Sequence, residues 1–125
     1  MRKAGLNNIS NIYFVQGKYE EGFEYLGRGL SSATSIEQIN HVLFNIWRNA
    51  KEMIKNNDWA NLEKVNYAYK RGAVTDETWV NFFKAIHEYA VYKDRNDYLY
   101  KENYEDTQKQ LNTEFRKLLK ELLEV

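Results

Sequence analysis

Two histidines, His41 and His87, and no cysteine make up the supply of side chains best suited to acid–base catalysis at neutral pH or to holding a transition metal. Glu37 precedes His41 by one helical turn, so the pair reads as a half-exposed histidine with an acidic neighbour. A metal centre would need two or three further ligands, and no HExxH, Glu-x-x-His or Asp-x-Asp pattern supplies them. Ser31, Ser32 and Ser35 cluster where a helix should end and read as cap and loop residues. Glu20 with Glu24, and Glu102 with Asp106, stand one turn apart on faces expected to be exposed. A buried, perturbed carboxylate can be catalytic, but spacing alone does not provide one. The expectation is a protein that is not an enzyme and uses no cofactor or metal.

Phosphate chemistry is the next candidate. "VQGKYEEGFEYLGRGL", Val15 to Leu30, holds four of the six glycines. Gly27-Arg28-Gly29 is a lone GxG that follows a helical pattern instead of a strand, so the dinucleotide fingerprint fails on context. Gly22 and Gly27 have P-loop spacing, but Arg28 and Gly29 stand where the lysine and the metal-binding hydroxyl are required. Gly17 instead suits a bend, and Gly22 and Gly29 suit close approach of a neighbouring helix. Each interior glycine costs about 1 kcal/mol relative to alanine, so a packing reason is needed.

Charge and aromatic patterning give two binding candidates. The formal net charge is zero, which removes any global attraction to nucleic acid or anionic membrane. Residues 48–72 nevertheless carry six basic residues against three acidic ones, and residues 76–108 carry four against eight. Arg48, Lys51 and Lys55 form a stripe on one helix face, with Lys70 and Arg71 further on. That segment could follow a nucleic-acid backbone, and "YAYKRGAVTDETWVNFF" has the Ala68-to-Gly72 spacing of a helix-turn-helix unit. The second helix of such a unit would open on Thr75, Asp76 and Glu77, whose acids repel phosphate, so nucleic acid is the alternative reading. The other candidate is the crowd of Tyr89, Tyr92, Tyr98, Tyr100 and Tyr104 among Glu102, Glu105 and Asp106. Tyrosine combines an apolar ring with a hydroxyl and is enriched where proteins touch, and the acids suit a basic protein partner.

These residues must be positioned by helices. The chain has no proline and no alternating β-branched runs. Ile36, Ile39, Leu43, Ile46, Ala50 and Met53 step along one helix face, while Phe44, Trp47 and Ile54 add a second apolar face, which predicts a central helix. Ser35 and Gln38 form a capping box, and Asn56-Asn57-Asp58 ends the pattern, with Asp58 as the next cap. Trp59, Leu62, Val65 and Tyr69 predict a helix that stops at Gly72. Thr75 should cap a helix that buries Trp79, Phe82, Phe83, Ile86 and Ala90. The stretch 92–106 reads either as a bend near Asp94–Asp97 or as part of one long helix. Leu111, Phe115, Leu118 and Leu122 give a last amphipathic helix, whose ridge either closes the domain or pairs with a second copy as a homodimer.

At the N-terminus, Leu6, Ile9, Ile12 and Tyr13 form one stripe, and Tyr19, Gly22, Phe23, Leu26, Gly29 and Leu30 the next. Ile9-Ser10, Tyr13, Gly17, Tyr19, Gly22, Leu26 and Gly29 together resemble one tetratricopeptide-repeat unit over residues 6–30. Thr34 stands where that family usually closes with proline, and the pattern does not continue at the family's interval. The resemblance implies a helical hairpin and a protein- or peptide-binding scaffold.

The reading is therefore an all-α fold: one domain over residues 1–125, of five or six helices in antiparallel hairpins, a compact bundle with a repeat-like first hairpin. The opening "MRKAGLNNIS" lacks the apolar core of a signal peptide, and no apolar run approaches a membrane span, so a soluble cytoplasmic protein is expected. The expected function is a non-catalytic interaction module, an adaptor or inhibitor of a larger assembly. Abundant Asn, Lys and Tyr suit an AT-rich genome, such as that of a virus or mobile element.

Overall fold

The computed structural model describes residues 3–71 and 74–124, and they form helices joined by short turns. In order these are α1 (Lys3–Val15), α2 (Tyr19–Ser31), α3 (Ile36–Lys55), α4 (Trp59–Leu62), a 3-10 turn (Glu63–Asn66), α5 (Tyr67–Lys70), α6 (Glu77–Arg95), α7 (Tyr98–Lys109) and α8 (Thr113–Leu123). The run from α4 to α5 is one irregular helical segment, so the described residues fold as seven helical segments without strands. The all-α bundle is as expected. The seventh segment arises at Asn96, which adopts a left-handed conformation (φ 53°) and separates α6 from α7. Asp97 then caps α7 by accepting the Leu99 amide at 3.0 Å, so the stretch near Asp94–Asp97 is a bend.

Local chemistry explains most of the boundaries. Gly17 turns the chain between α1 and α2 at φ +77°, with open space around it. Asn57 makes the corresponding left-handed step (φ 57°) after α3. Ser35 caps α3 through the Gln38 amide at 3.2 Å. The Gln38 side chain reaches the Thr34 amide (2.7 Å), one residue earlier than a capping box would place it. Two expected caps differ. Asp58 precedes α4, but its carboxylate accepts from the Asn61 side chain at 2.7 Å and caps no backbone amide. Asp76, and not Thr75, caps α6, accepting the Thr78 and Trp79 amides. The expected stop at Gly72 lies outside the described residues.

The first two helices form a hairpin. The Ser10 hydroxyl is fully buried and donates to the Gly22 carbonyl at 2.9 Å. Phe14 packs edge-on against Phe23, and Tyr13 stacks on Tyr25. Ser10 and Phe14, four residues apart, thus form the inner face of α1, while Ile12 of the expected stripe is exposed. A polar residue lies on that face because the Gly22 carbonyl satisfies its hydroxyl.

Close approach is real in α2: it occurs at Gly22, one of the expected pair, and also at Gly27, which the sequence reading did not single out. A methyl added at Gly22 would lie 2.9 Å from the Phe14 ring, whereas one added at Gly27 would lie 2.0 Å from the Ala68 carbonyl oxygen. Gly27 is therefore the point where the backbone of α5 crosses α2. Gly29 is buried in the same helix.

α3 also differs from expectation. Val42, Ile46, Ala50 and Met53 are buried, and Ile39, Leu43, Trp47 and Ile54 are half-buried. Ile36 and Phe44 are exposed (78% and 63%), so α3 has one buried face and does not run through the centre. The core instead gathers on Phe23, Leu26, Leu62, Val65, Phe83 and Ile86, with Leu119 and Leu122 of α8 closing it. Leu111, Leu119 and Leu122 are buried and Phe115 and Leu118 half-buried, so much of the α8 ridge packs inside the chain, the first of the two outcomes its pattern allowed. Among the described residues no helix is long and apolar enough to cross a membrane.

Candidate functional site

Tyrosines from α6 and α7 meet across the bend at Asn96. The two helices run antiparallel, and the pairs Tyr89–Tyr104 (4.9 Å between ring centroids) and Tyr92–Tyr98 (5.6 Å) tie them together. Tyr89 also packs on Tyr92 and on Trp59 of α4. Tyr104 is buried, and its hydroxyl donates to Glu124 at 2.8 Å. Burial, followed by the bond to Glu124, pushes its phenol well above the ordinary tyrosine range. Deeper in the same interface, Thr107 donates to the buried Glu88 at 2.6 Å. Desolvation raises the Glu88 carboxyl, and the Thr107 hydrogen bond partly offsets the rise.

The expected tyrosine-and-acid cluster divides into two surfaces. One is a cleft of about 630 Å³ between α4, α6, α7 and α8. Of the expected residues, Tyr89, Tyr92, Tyr104 and Glu105 line it. The residues that sequence reasoning missed there are Trp59, Lys93, Lys101, Gln108, Lys120 and Glu124, contributed by four helical segments. A partial signal was present: Lys93 follows Tyr89 by one turn.

The other surface is the outward face of α7. A helix turns about 100° per residue, so Tyr98, Leu99, Glu102 and Asp106 share that face. Tyr98 and Leu99 are 60% and 63% exposed, unusual for large apolar side chains, and Glu102 and Asp106 are exposed beside them. Asp106 also lies 3.8 Å from Lys109. Tyr100 is half-buried.

The basic candidates do not act as one stripe. Arg48 donates to Asn11 of α1 at 3.1 Å and lies over the Phe44 ring. Lys51 donates to the Glu121 carbonyl of α8 at 3.2 Å and lies over Trp47. Arg71 lies over Tyr67, 4.0 Å from Glu20 of α2. Lys55 and Lys70 are exposed. An ion pair joins the two oppositely charged segments at Glu63–Arg95 (2.8 Å), an acid of the basic segment with a base of the acidic one.

Glu63 and His87 form a second polar cluster. His87 Nδ1 is 2.6 Å from the Glu63 carbonyl oxygen. Burial lowers the imidazole pKa, with Lys70 and Arg95 adding to the effect. Desolvation and the neighbouring Asp94 push the Glu63 carboxyl up to about 7 against the pull of Arg95. His41 is exposed. Among the described residues no three His, Asp or Glu side chains converge as a metal site.

An apolar groove of about 270 Å³ lies between α3 and α8, lined by Leu43, Phe44, Trp47, Phe82, Leu118 and Leu122 among others. No protein-family model, curated protein or solved structure matches the chain.

Proposed function

We propose that the protein is a non-catalytic protein-interaction module, an adaptor or inhibitor of a larger assembly, whose α7 face docks a basic partner. The observation that carries this reading is the exposure of Tyr98 and Leu99 together, beside Glu102 and Asp106. Large apolar groups next to like charges form the centre-and-rim arrangement of an interface: the rings and the leucine give up water on contact, and the acids select and steer a positive surface. The resemblance of residues 6–30 to a tetratricopeptide-repeat hairpin, a protein-binding scaffold, points the same way. The alternative, a nucleic-acid-binding regulator using residues 48–72, has weaker support, because Arg48, Lys51 and Arg71 each engage a different neighbouring helix.

The test compares the wild-type chain with a Leu99→Ser, Glu102→Lys, Asp106→Lys variant in affinity capture from the native host, read by mass spectrometry. The reading expects a basic protein retained by the wild type and lost by the variant, with unchanged circular dichroism. Identical retention by both chains would remove the α7 face from consideration. Binding to duplex DNA that weakens with salt, and is lost in Lys55→Glu, would favour the alternative.

A further inference from the structure

The aromatic cleft has the opposite electrostatic character to the neighbouring α7 face. Lys93, Lys101 and Lys120 bring three ammonium groups to it, one each from α6, α7 and α8. Lys93 Nζ lies 5.8 Å from the Trp59 ring centroid and 6.0 Å from those of Tyr89 and Tyr92, and Lys101 Nζ lies 5.8 Å from Tyr92. Rings and cations therefore face the same space. Among the described residues none of these ammonium groups is in an ion pair or donates a hydrogen bond, although Glu105 and Glu124 line the same cleft. Glu124 already receives the Tyr104 hydroxyl. Gln108 also lines the cleft, with its amide Nε2 buried in the wall.

Donors thus exceed acceptors around an aromatic wall, in a volume suited to a small molecule. We infer that this cleft binds a small planar aromatic anion, a ring carrying a phosphate of the nucleoside-monophosphate kind. The ring lies against Tyr92 and the exposed edge of Trp59, and the anionic group meets the lysine ammoniums. The cation–π contacts hold Lys93 over the rings when the cleft is empty, and the ligand's charge draws it outward. This inference does not depend on the α7 face.

The full chain is titrated with adenosine 5′-monophosphate, adenosine and inorganic phosphate, with the three indole N–H resonances followed by NMR. Only Trp59 of the three tryptophans lines the cleft, so Trp47 and Trp79 serve as internal references. The expected result is a Trp59 shift with the monophosphate at a Kd of about 1 mM or tighter, and binding of adenosine and of phosphate about tenfold weaker or more. Lys93→Ala combined with Lys120→Ala weakens the monophosphate about tenfold or more, and Lys84→Gln, on the far side of α6, leaves it unchanged. The inference is overturned if the Trp59 resonance does not move by about 10 mM monophosphate. It is equally overturned if phosphate alone binds as tightly, or if the double lysine variant binds like the wild type.

Discussion

Gly27 and Ala68 meet backbone to backbone: a methyl on the glycine would stand 2.0 Å from the alanine's carbonyl oxygen. That contact is closer than the 2.9 Å of a methyl at Gly22 to the Phe14 ring, and it sets the crossing of α2 with the irregular segment that ends in α5. The carbonyl belongs to a helical backbone and cannot turn aside like a side chain.

Gly27→Ala should therefore destabilise the protein by about 3 kcal/mol or more, even though alanine favours helix by about 1 kcal/mol. Gly22→Ala meets the Phe14 ring, which can shift, and its net loss should be about 1 kcal/mol. Urea unfolding followed by circular dichroism measures both. Equal losses at the two positions would show that the α2–α5 crossing is not the tighter contact.

The Thr107–Glu88 hydrogen bond should show its charge dependence. Thr107→Val leaves the buried carboxylate without its donor and should cost about 1.5–3 kcal/mol near pH 7. At low pH Glu88 is protonated in both chains, and the charged-state part of the loss disappears. Urea midpoints at about pH 7 and about pH 4 test this, with the smaller effect expected in acid.

Glu63 and His87 should give the stability–pH curve opposing slopes. The folded Glu63 carboxyl holds its proton up to about 7 against an ordinary value of 4.5, so its contribution is present below 4.5 and is lost as pH rises toward 7. The folded His87 imidazole resists protonation relative to its ordinary 6.5, so its contribution is present above 6.5 and is lost as pH falls below it. Glu63→Gln should flatten the decline between pH 4.5 and 7. His87→Gln should flatten the decline on the acid side of 6.5. Melting temperatures across that range give both slopes, and a Glu63→Gln curve parallel to the wild type would contradict the desolvated-carboxyl account.

Much of the secondary structure was legible because helix period and cap chemistry are local. The steps from Trp79 to Ala90, the turn at Gly17, the break at Asn56-Asn57 and the Ser35 cap depend on residues within a few positions of one another. The same local rules account for the misplaced caps: Thr75 and Asp76 are neighbours with similar capping ability, and only the realised helix start distinguishes them.

What the chain alone determined, then, is a set of amphipathic helices, their main turns and a composition with two histidines and no cysteine. Tertiary structure decided which glycine touches a neighbour, which side of α3 stays wet, and how the tyrosine cluster divides. Those outcomes depend on pairs such as Gly27 with Ala68, Ser10 with Gly22 and Trp59 with Lys93, far apart in sequence. Periodicity specifies a face without naming its occupant, whereas packing, carbonyl placement and shared cavities arise only when particular faces are brought together.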